Sequence, residues 1–297
     1  MRDQRSALLP IYCALLFVVS VWGVNFVVMK LTFEVLDPLA FNGVRMTLAT
    51  AVLLGLLLVR EGWKQLPLID VLKIAGLGLV GNAIFQYFVI TGLDLSRPEN
   101  AALFHATIPV WSALIAGWLG WEAITRRIWI GVLFAFGGVA LVIYSTAGGF
   151  ALGMTESVGG DLMMLTSAIL WSLYTVFSKD LLQRHSPLRL SSLALAASLP
   201  WIWSFTLPAT FSADWSQVPW WAWGAIFFSG TFAIAINYML WSIGIQRVGA
   251  AKTAVFQNLS PVITFIVAFL ALQQPIFPLQ LLGGLIVLIG VWLTIRS

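Results

Sequence analysis

Long apolar stretches separated by short polar turns run along the whole chain. Uncharged segments extend from Ser6 to Met29, from Asn100 to Trp121, from Ile128 to Thr155, from Leu190 to Ala213 and from Thr253 to Ile295. A membrane-crossing helix needs roughly 20 mostly apolar residues. The pattern therefore predicts ten helical spans, at residues 8–29, 38–59, 72–93, 100–120, 128–145, 161–179, 188–208, 219–245, 251–271 and 279–295.

The composition agrees with a membrane protein. Apolar residues make up 60% of the chain and charged residues 9%, with a mean hydropathy of +0.94, whereas a soluble domain carries about 25% charged residues. The first apolar run is too long for a signal peptide and lacks a small-x-small cleavage pattern, so we expect it to remain as the first span. With Cys13 as its single cysteine, the chain cannot form an internal disulfide.

The distribution of basic residues predicts the orientation. One set of alternate loops holds only Lys30 and Arg97, Arg45 lies within a span, and the other basic residues fall in the opposite set of loops. By the positive-inside rule both termini are expected in the cytoplasm. We therefore expect the net charge of +4 to orient a multi-pass protein in a bacterial cytoplasmic (inner) membrane. The expected partners are the lipid bilayer and a small-molecule substrate, with no nucleic acid.

The chain contains an internal duplication. Trp22–Lys30 (WGVNFVVMK) returns as Trp171–Lys179 (WSLYTVFSK), and each copy is soon followed by Pro-Leu. Phe104–Pro109 (FHATIP) is matched by Phe256–Pro261 (FQNLSP). The offset between matched residues changes only from 149 to 152 along half of the chain. A duplication of this length includes a whole set of helices rather than a local motif.

Five predicted spans in each copy place the start of the second copy on the opposite side of the membrane. We predict an all-α membrane protein of two inverted five-helix repeats, residues 1–148 and 149–297, that form one membrane domain. Inverted repeats place a site near the bilayer midplane, and rocking of the halves alternates access to it. The alternative is that the duplication only enlarged a membrane scaffold, but the short loops and the lack of a soluble domain favour a transporter.

Polar side chains within the spans are the candidate substrate contacts, because a polar group in lipid is costly unless it faces a cavity or another helix. Several recur at matched positions in both copies, which favours a shared cavity. Hydrogen bonding between helices explains each amide singly just as well. The predicted substrate-binding residues are Trp22, Asn25, Arg45, Asn82, Gln86, Tyr87, His105, Trp171, Tyr174, Asn237, Tyr238, Trp241, Gln257 and Asn258.

Two prolines predict irregular backbone in the walls of that cavity. Pro109 leaves the carbonyl of His105 without its helical partner, and Pro261 does the same for the carbonyl of Gln257. Non-helical backbone at membrane depth is tolerated where it lines a cavity or is buried in protein. The alternative is a kink that serves packing alone.

Three side chains have open roles at this stage. Arg45 either extends to the outer interface or holds an anionic group such as a substrate carboxylate. His105 is either a proton carrier or a neutral hydrogen-bond partner, and His185 is expected to be solvated in a basic loop. We expect no carboxylate within the predicted spans, and this leaves both proton coupling and facilitated diffusion open as the transport mechanism.

Glycines at a spacing of seven recur near the end of each copy. Gly131 and Gly138 match Gly283 and Gly290. Small residues at this spacing permit close helix contact. We expect them to pack helices together, within one half or between two copies of the chain.

These motifs resemble the EamA-type members of the drug/metabolite transporter superfamily. The resemblance rests on the WGVNFVVMK motif, Pro38-Leu39 followed by Arg45, Glu122, and the twin runs Gly131–Val139 and Gly283–Val291. It covers essentially the whole chain and implies ten helices in two inverted halves. The richness in Trp and Phe further resembles the YddG-type aromatic amino-acid exporters. One departure is Gln274, where many members have a second glutamate.

The resemblance implies export of amino acids, aromatic and other neutral ones, by alternating access. Export of drugs or other small metabolites on the same fold is the alternative. An enzyme is disfavoured because the sequence has no H-E-x-x-H, no G-x-S-x-G and no paired intramembrane aspartates. We therefore expect a non-enzyme without cofactor or metal, working as a monomer or a homodimer.

Overall fold

The architecture is helical in every regular element that can be described. The computed structural model describes four stretches of the chain, residues 2–120, 125–146, 156–273 and 277–295, and contains no strand within them. Glu122 and Gln274, which the family resemblance singled out, lie outside the described residues. The α-helices in chain order are α1 (Arg2–Phe33), α2 (Pro38–Arg60), α3 (Leu68–Gly78), α4 (Phe85–Leu95), α5 (Pro98–His105), α6 (Ile108–Trp118), α7 (Arg126–Thr146), α8 (Glu156–Arg184), α9 (Pro187–Ser212), α10 (Trp220–Phe227), α11 (Asn237–Val248), α12 (Ala250–Val255), α13 (Ser260–Leu272) and α14 (Pro278–Ile295).

Eight helical stretches of the described chain are long and apolar enough to cross a membrane. The predicted spans at 128–145 and 279–295 coincide with two shorter apolar helices, Trp129–Val142 and Pro278–Leu293. The all-helical membrane class is thus confirmed, while the number of crossings and the orientation remain predictions. The eight stretches are Leu9–Phe33, Pro38–Arg60, Leu68–Leu95, Pro98–Trp118, Ser157–Arg184, Pro187–Ser212, Trp220–Val248 and Lys252–Leu272.

The repeated Pro-Leu motif begins a helix in each copy. Pro38 and Pro187 occupy the first positions of α2 and α9, where a missing N–H costs nothing. The preceding residues cap these helices: the Asp37 carboxylate accepts from the amides of Leu39 and Ala40 at 2.8 and 3.1 Å. Ser186 Oγ accepts from an amide of the first turn of α9 in the same way. The duplicated sequence thus gives duplicated helix starts.

Helix irregularities also occur at matched places in the two copies. A π-helical segment, Leu79–Ile84, joins α3 to α4, and another, Phe228–Ile236, joins α10 to α11. The predicted proline kinks are present as well: α5 ends at His105 before α6 begins at Ile108. In the second copy a 3-10 turn, Phe256–Leu259, precedes α13. Such interruptions free backbone groups and are frequent at functional sites.

The two copies pack against each other through glycine-lined contacts. A methyl group built on Gly138 of α7 would lie 2.6 Å from the carbonyl oxygen of Gly283 on α14, and one on Gly290 would lie 2.5 Å from that of Gly131. The predicted packing role is therefore confirmed. The contact joins the two copies within one chain, rather than helices of one half or two copies of the chain.

Ion pairs tie the copies together at the end where α2 and α8 finish. Asp70 of α3 is almost fully buried and accepts from Arg184 Nη1 at 2.6 Å and from His185 Nε2 at 2.8 Å. Arg189 of α9 pairs with Glu61 at 3.1 Å. The expectation of a solvated His185 is therefore wrong, because folding brings the buried carboxylate of Asp70 against it.

Overfilling the α7–α14 contact should destabilise the protein. Because Gly138 touches the backbone of α14, Gly138→Val should lower the free energy of unfolding by about 3 kcal/mol, towards the upper end of overpacking costs. Denaturant unfolding of the detergent-solubilised protein measures this. Gly137→Val is the matched control, since a methyl group there meets nothing within 4 Å. Equal stability of the two variants would contradict the packing described.

Candidate functional site

A buried cavity lies between the two copies, where the interrupted helices meet. Its volume, counted as space open to the centres of water-sized spheres, is about 50 Å³, and one water needs roughly 10–15 Å³ on this measure. The space therefore fits a few waters, so a larger solute requires the helices to move. The lining residues are Trp22, Asn25, Phe26, Met29, Arg45, Phe85, Gln86, Val89, His105, Ile108, Trp171, Ala233, Ile234, Tyr238 and Gln257.

Arg45 is the cation of this cavity and is 1% exposed. Its Nη1 donates to Ser229 Oγ at 2.7 Å and to Met29 Sδ at 2.8 Å, while Nη2 donates to Gln86 Oε1 at 2.7 Å. Its Nε donates to Asn42 Oδ1 at 3.1 Å. All four of these hydrogen-bond partners are neutral, and the described residues place no carboxylate within ion-pair distance. The side chain points into the protein, so extension to the outer interface is excluded.

An aromatic wall continues from Arg45 through Gln86. Gln86 Nε2 donates to Tyr238 Oη at 3.0 Å, and the Tyr238 ring centroid lies 4.9 Å from that of Trp171. Trp22 meets Trp171 edge-on at 5.6 Å and is held by a 2.7 Å bond from its Nε1 to the Ala233 carbonyl. That carbonyl belongs to the second π-helical segment. The matched tryptophans of the duplication therefore form one wall.

His105 closes another side of the cavity. Its Nε2 lies 2.8 Å from Ser167 Oγ of α8, and its ring packs edge-on against Phe26 with centroids 5.3 Å apart. The histidine therefore has a hydrogen-bond partner, as one of its two predicted roles requires. The bond also links the kinked α5–α6 pair to α8.

Two amide oxygens of the cavity lining have no protein partner among the described residues. They are Oδ1 of Asn25 on α1 and Oε1 of Gln257 in the 3-10 turn before α13. Both side chains are buried. A buried acceptor without a partner costs about 1–3 kcal/mol. Each oxygen therefore offers a bond to a donor that enters the cavity.

The structure brings eight of the fourteen predicted residues to the cavity, and the other six lie outside its lining. Trp241 and Tyr174 stand directly behind the wall, with Trp241 5.1 Å from Trp22 and Tyr174 stacked on Trp171 at 5.0 Å. The other four predicted residues have different surroundings. Asn82 is buried without a described side-chain hydrogen bond, and Asn237 donates to the Val18 carbonyl at 2.9 Å. Tyr87 is 39% exposed and packs on Phe205. Asn258 lies in the 3-10 turn.

The sequence analysis missed Ser229 and two apolar residues of the cavity lining, Phe26 and Met29. Ser229 binds Arg45 from the second π-helical segment, and no polar pattern around it distinguishes it from other helix serines. Met29 and Phe26 lie inside the WGVNFVVMK motif and share the helix face of Trp22 at spacings of three to four residues. That spacing is a usable signal.

The expectation that no carboxylate lies within the spans is wrong. Asp161 is fully buried in α8, and Glu99 is 2% exposed in the first turn of α5. Both lie within helical stretches long enough to cross a membrane. The sequence placed both carboxylates at span boundaries. The reason is that α5 begins at Pro98 and α8 at Glu156, before the apolar patterns that predicted spans from residues 100 and 161.

No cluster of three or more His, Cys, Asp or Glu side chains in the described ranges is placed to hold a metal ion. The cavity lining offers hydrogen-bonding groups, aromatic faces and one guanidinium.

The chain matches one protein family along nearly its whole length. The EamA-like transporter family model fits it twice, at residues 9–144 and 158–296. A crystal structure of a protein that is 22% identical superposes with a TM-score of 0.68, covering 97% of this chain and 95% of the other, which supports the fold.

Relatives of similar length carry transporter names. "Uncharacterized transporter YyaM" of Bacillus subtilis (strain 168) is 32% identical over 285 residues, covering 95% of this chain and 92% of the relative. "Probable terminal-alkyne amino-acid exporter" of Streptantibioticus cattleyicolor is 26% identical over 286 residues, covering 95% and 92%. With the family matched in both copies, the chain belongs to the EamA-like transporter family and is a membrane transporter.

Proposed function

We propose that this transporter exports neutral amino acids, aromatic ones included, across the cytoplasmic membrane by alternating access. The observation that carries the proposal is Arg45, a buried cation on the cavity wall with neutral partners only. A buried charge without a counter-ion is costly. A solute that supplies the missing anion therefore binds with a gain that a neutral solute lacks.

A carboxylate fits this position well. The Arg45 guanidinium presents a planar fork that pairs with both oxygens of a carboxylate. Its present partners, Ser229 and Gln86, are neutral and bound at 2.7 Å. An entering carboxylate replaces a bond to a neutral group with an ion pair, which the fork geometry of the guanidinium allows to be bidentate.

The cavity also has hydrogen-bond acceptors that suit an ammonium group. Asn25 Oδ1 and Gln257 Oε1 are buried acceptors without a partner in the described chain, and an ammonium has three donors. The cavity thus offers a cation for a carboxylate and acceptors for an amine. This combination selects a zwitterion over a simple anion or a simple cation.

The walls suit apolar and aromatic side chains. Trp22, Trp171, Tyr238 and Phe85 present ring faces and edges to the cavity, and aromatic pairs add about 0.5–1.5 kcal/mol beyond the area they bury. The present cavity admits only a few waters. Binding of an amino acid therefore accompanies an opening of the two copies, as alternating access requires.

Two inverted repeats provide the means for that opening. The family model matches each copy once, and each copy contains one π-helical segment and one interrupted helix. These matches support the predicted duplication of residues 1–148 and 149–297. The basic residues near the Asp70 cluster support a cytoplasmic position for that end and for both termini. Monomer and homodimer are both compatible with this arrangement.

The alternative is export of drugs or other small metabolites on the same fold. One relative carries an amino-acid exporter name. The cavity has a cation that suits a carboxylate and acceptors that suit an ammonium group, which favours amino acids over uncharged or purely cationic drugs. A YddG-type preference for aromatic amino acids follows from the tryptophan wall.

Removing the Arg45 charge should abolish selection for the carboxylate. In proteoliposomes, the natural protein should transport phenylalanine at least roughly tenfold faster than phenethylamine, which lacks the carboxylate, since a charged hydrogen bond contributes about 1.5–3 kcal/mol. Arg45→Gln should reduce that ratio towards one, mainly through slower phenylalanine flux. Radiolabelled flux with both solutes measures the ratio.

Arg247→Gln serves as the control, because Arg247 is exposed at the end of α11, away from the cavity. It should keep the natural ratio. No phenylalanine flux above that of empty liposomes in the natural protein would refute amino-acid transport. An unchanged ratio in Arg45→Gln would refute the role of Arg45 alone.

Removing the amide of Gln257 should weaken selection for the amine. Gln257→Leu is expected to slow phenylalanine flux several-fold, because the ammonium loses an acceptor, and to leave phenyllactate, which has a hydroxyl in place of the amine, much less affected. Competition of the two solutes in the same flux assay measures the change. An equal loss for both solutes would indicate a packing defect instead.

A further inference from the structure

A buried carboxylate lies on the boundary between the two copies, away from the cavity. Asp161 is in the second turn of α8 and is 0% exposed. Ser96 Oγ, just after α4, donates to its Oδ1 in a short hydrogen bond. Asn100 Nδ2 of α5 donates to both carboxylate oxygens at 3.2 Å. The residues that hold it come from the first copy, whereas Asp161 belongs to the second.

The hydrogen bonds around Asp161 suit an ionised carboxylate. All three bonds use the carboxylate as acceptor, and protonation turns one oxygen into a donor. Asn100 Oδ1 accepts from Gln280 Nε2 of α14 at 2.5 Å, so the amide of Asn100 is oriented with its nitrogen towards Asp161. Protonation therefore weakens the bond from Asn100 to the protonated oxygen, which joins α5 to α8.

No cation of the described residues forms a direct ion pair with the Asp161 carboxylate. Arg97, at the start of α5, is the cation whose charge acts on it, but Arg97 pairs with Glu99 at 2.5 Å. Lys30 of α1 donates to the backbone carbonyls of Leu93 and Asp94. The described groups on α14 and α4 that touch Asp161 or its ligands are uncharged. The carboxylate is thus held chiefly by neutral donors.

The contact between α5 and α8 at Asn100 and Asp161 continues along both helices to the cavity. His105 lies five residues after Asn100 on α5, and Ser167 lies six residues after Asp161 on α8, or about 8–9 Å further along each helix at 1.5 Å per residue. These two are bonded at 2.8 Å, and His105 lines the cavity. On the other side α4 stays close to α8, since a methyl group on Gly160 would lie 2.8 Å from the Gly92 carbonyl oxygen. A shift of α5 against α8 therefore moves the cavity wall.

We infer that Asp161 is a proton-binding site that couples export to the pH gradient. The ionised carboxylate holds α5 against α8. One proton taken from water on the outer side loosens this contact and is given up to the cytoplasm later in the cycle, in exchange for one amino acid that leaves. The inference rests on the proposed amino-acid export and replaces facilitated diffusion with exchange for one proton. No redox or covalent step is involved.

Accumulation driven by a pH gradient tests this coupling. With the membrane potential clamped at zero, exchange of one proton for each amino acid should accumulate phenylalanine about tenfold for each pH unit, because one pH unit is a tenfold difference in proton concentration. Asp161→Asn, which imitates the protonated carboxyl, should exchange phenylalanine without accumulating it. Asp161→Glu keeps a titratable group and should retain accumulation in part.

The control is Asp94→Asn, which removes an exposed carboxyl at the same end of the molecule and should leave accumulation unchanged. Accumulation by Asp161→Asn equal to that of the natural protein would overturn the inference. So would exchange without any accumulation in the natural protein, a result that leaves amino-acid export standing.

A second measurement does not depend on transport. The infrared difference spectrum between acid and alkaline pH should contain the C=O stretching band of a buried protonated carboxyl, and Asp161→Asn should lose that band while Asp94→Asn keeps it. A band unchanged in Asp161→Asn would overturn proton binding at this residue. If the proteoliposomes transport no amino acid, the proposed function fails while this spectrum still decides the proton site.

Discussion

The burial of Arg45 among neutral partners is the constraint on which the site depends. A guanidinium without a counter-ion is stabilised inside the protein by hydrogen bonds, and here Ser229, Gln86, Asn42 and Met29 accept from four of its five N–H donors. These partners come from α1, α2, α4 and the second π-helical segment. The charge therefore fixes the relative position of both copies around the cavity. It also leaves the site short of one negative charge, which the proposed substrate supplies.

The two copies share a helical framework but differ in the polar residues that they contribute to the cavity. The matched helix starts at Pro38 and Pro187 and the matched π-helical segments build a common framework. The residues that give the cavity its polarity are unmatched, since Arg45 has Ala194 as its counterpart and His105 has Gln257. A framework of two equivalent halves permits rocking, and the unmatched residues give the cavity a distinct cationic side and acceptor side.

Much of this arrangement was predictable from the sequence, and particular residues show the limit. The duplicated motif placed Trp22 and Trp171 among the predicted contacts of one shared cavity, and the prolines predicted the interrupted helices. Tyr87 was misplaced because the π-helical segment before it rotates the following helix, a local change that periodicity does not reveal. Asp161 was overlooked because it is the first residue of the predicted span 161–179, whereas its helix begins at Glu156. Its burial arises from tertiary contacts with Ser96 and Asn100.

The central claim, that Arg45 holds the carboxylate of the transported solute, can be measured directly. Solid-state NMR of the protein in lipid, with ¹⁵N-labelled arginine and phenylalanine ¹³C-labelled at the carboxyl, reports the dipolar coupling between the two groups. The account predicts the nitrogen–carbon coupling of a carboxylate that is hydrogen-bonded to the guanidinium with N–O distances of about 2.7–2.9 Å. This coupling should be present in the natural protein and lost in Arg45→Gln. Bound phenylalanine whose carboxyl carbon shows no coupling to arginine nitrogen, or a coupling that persists in Arg45→Gln, would contradict it.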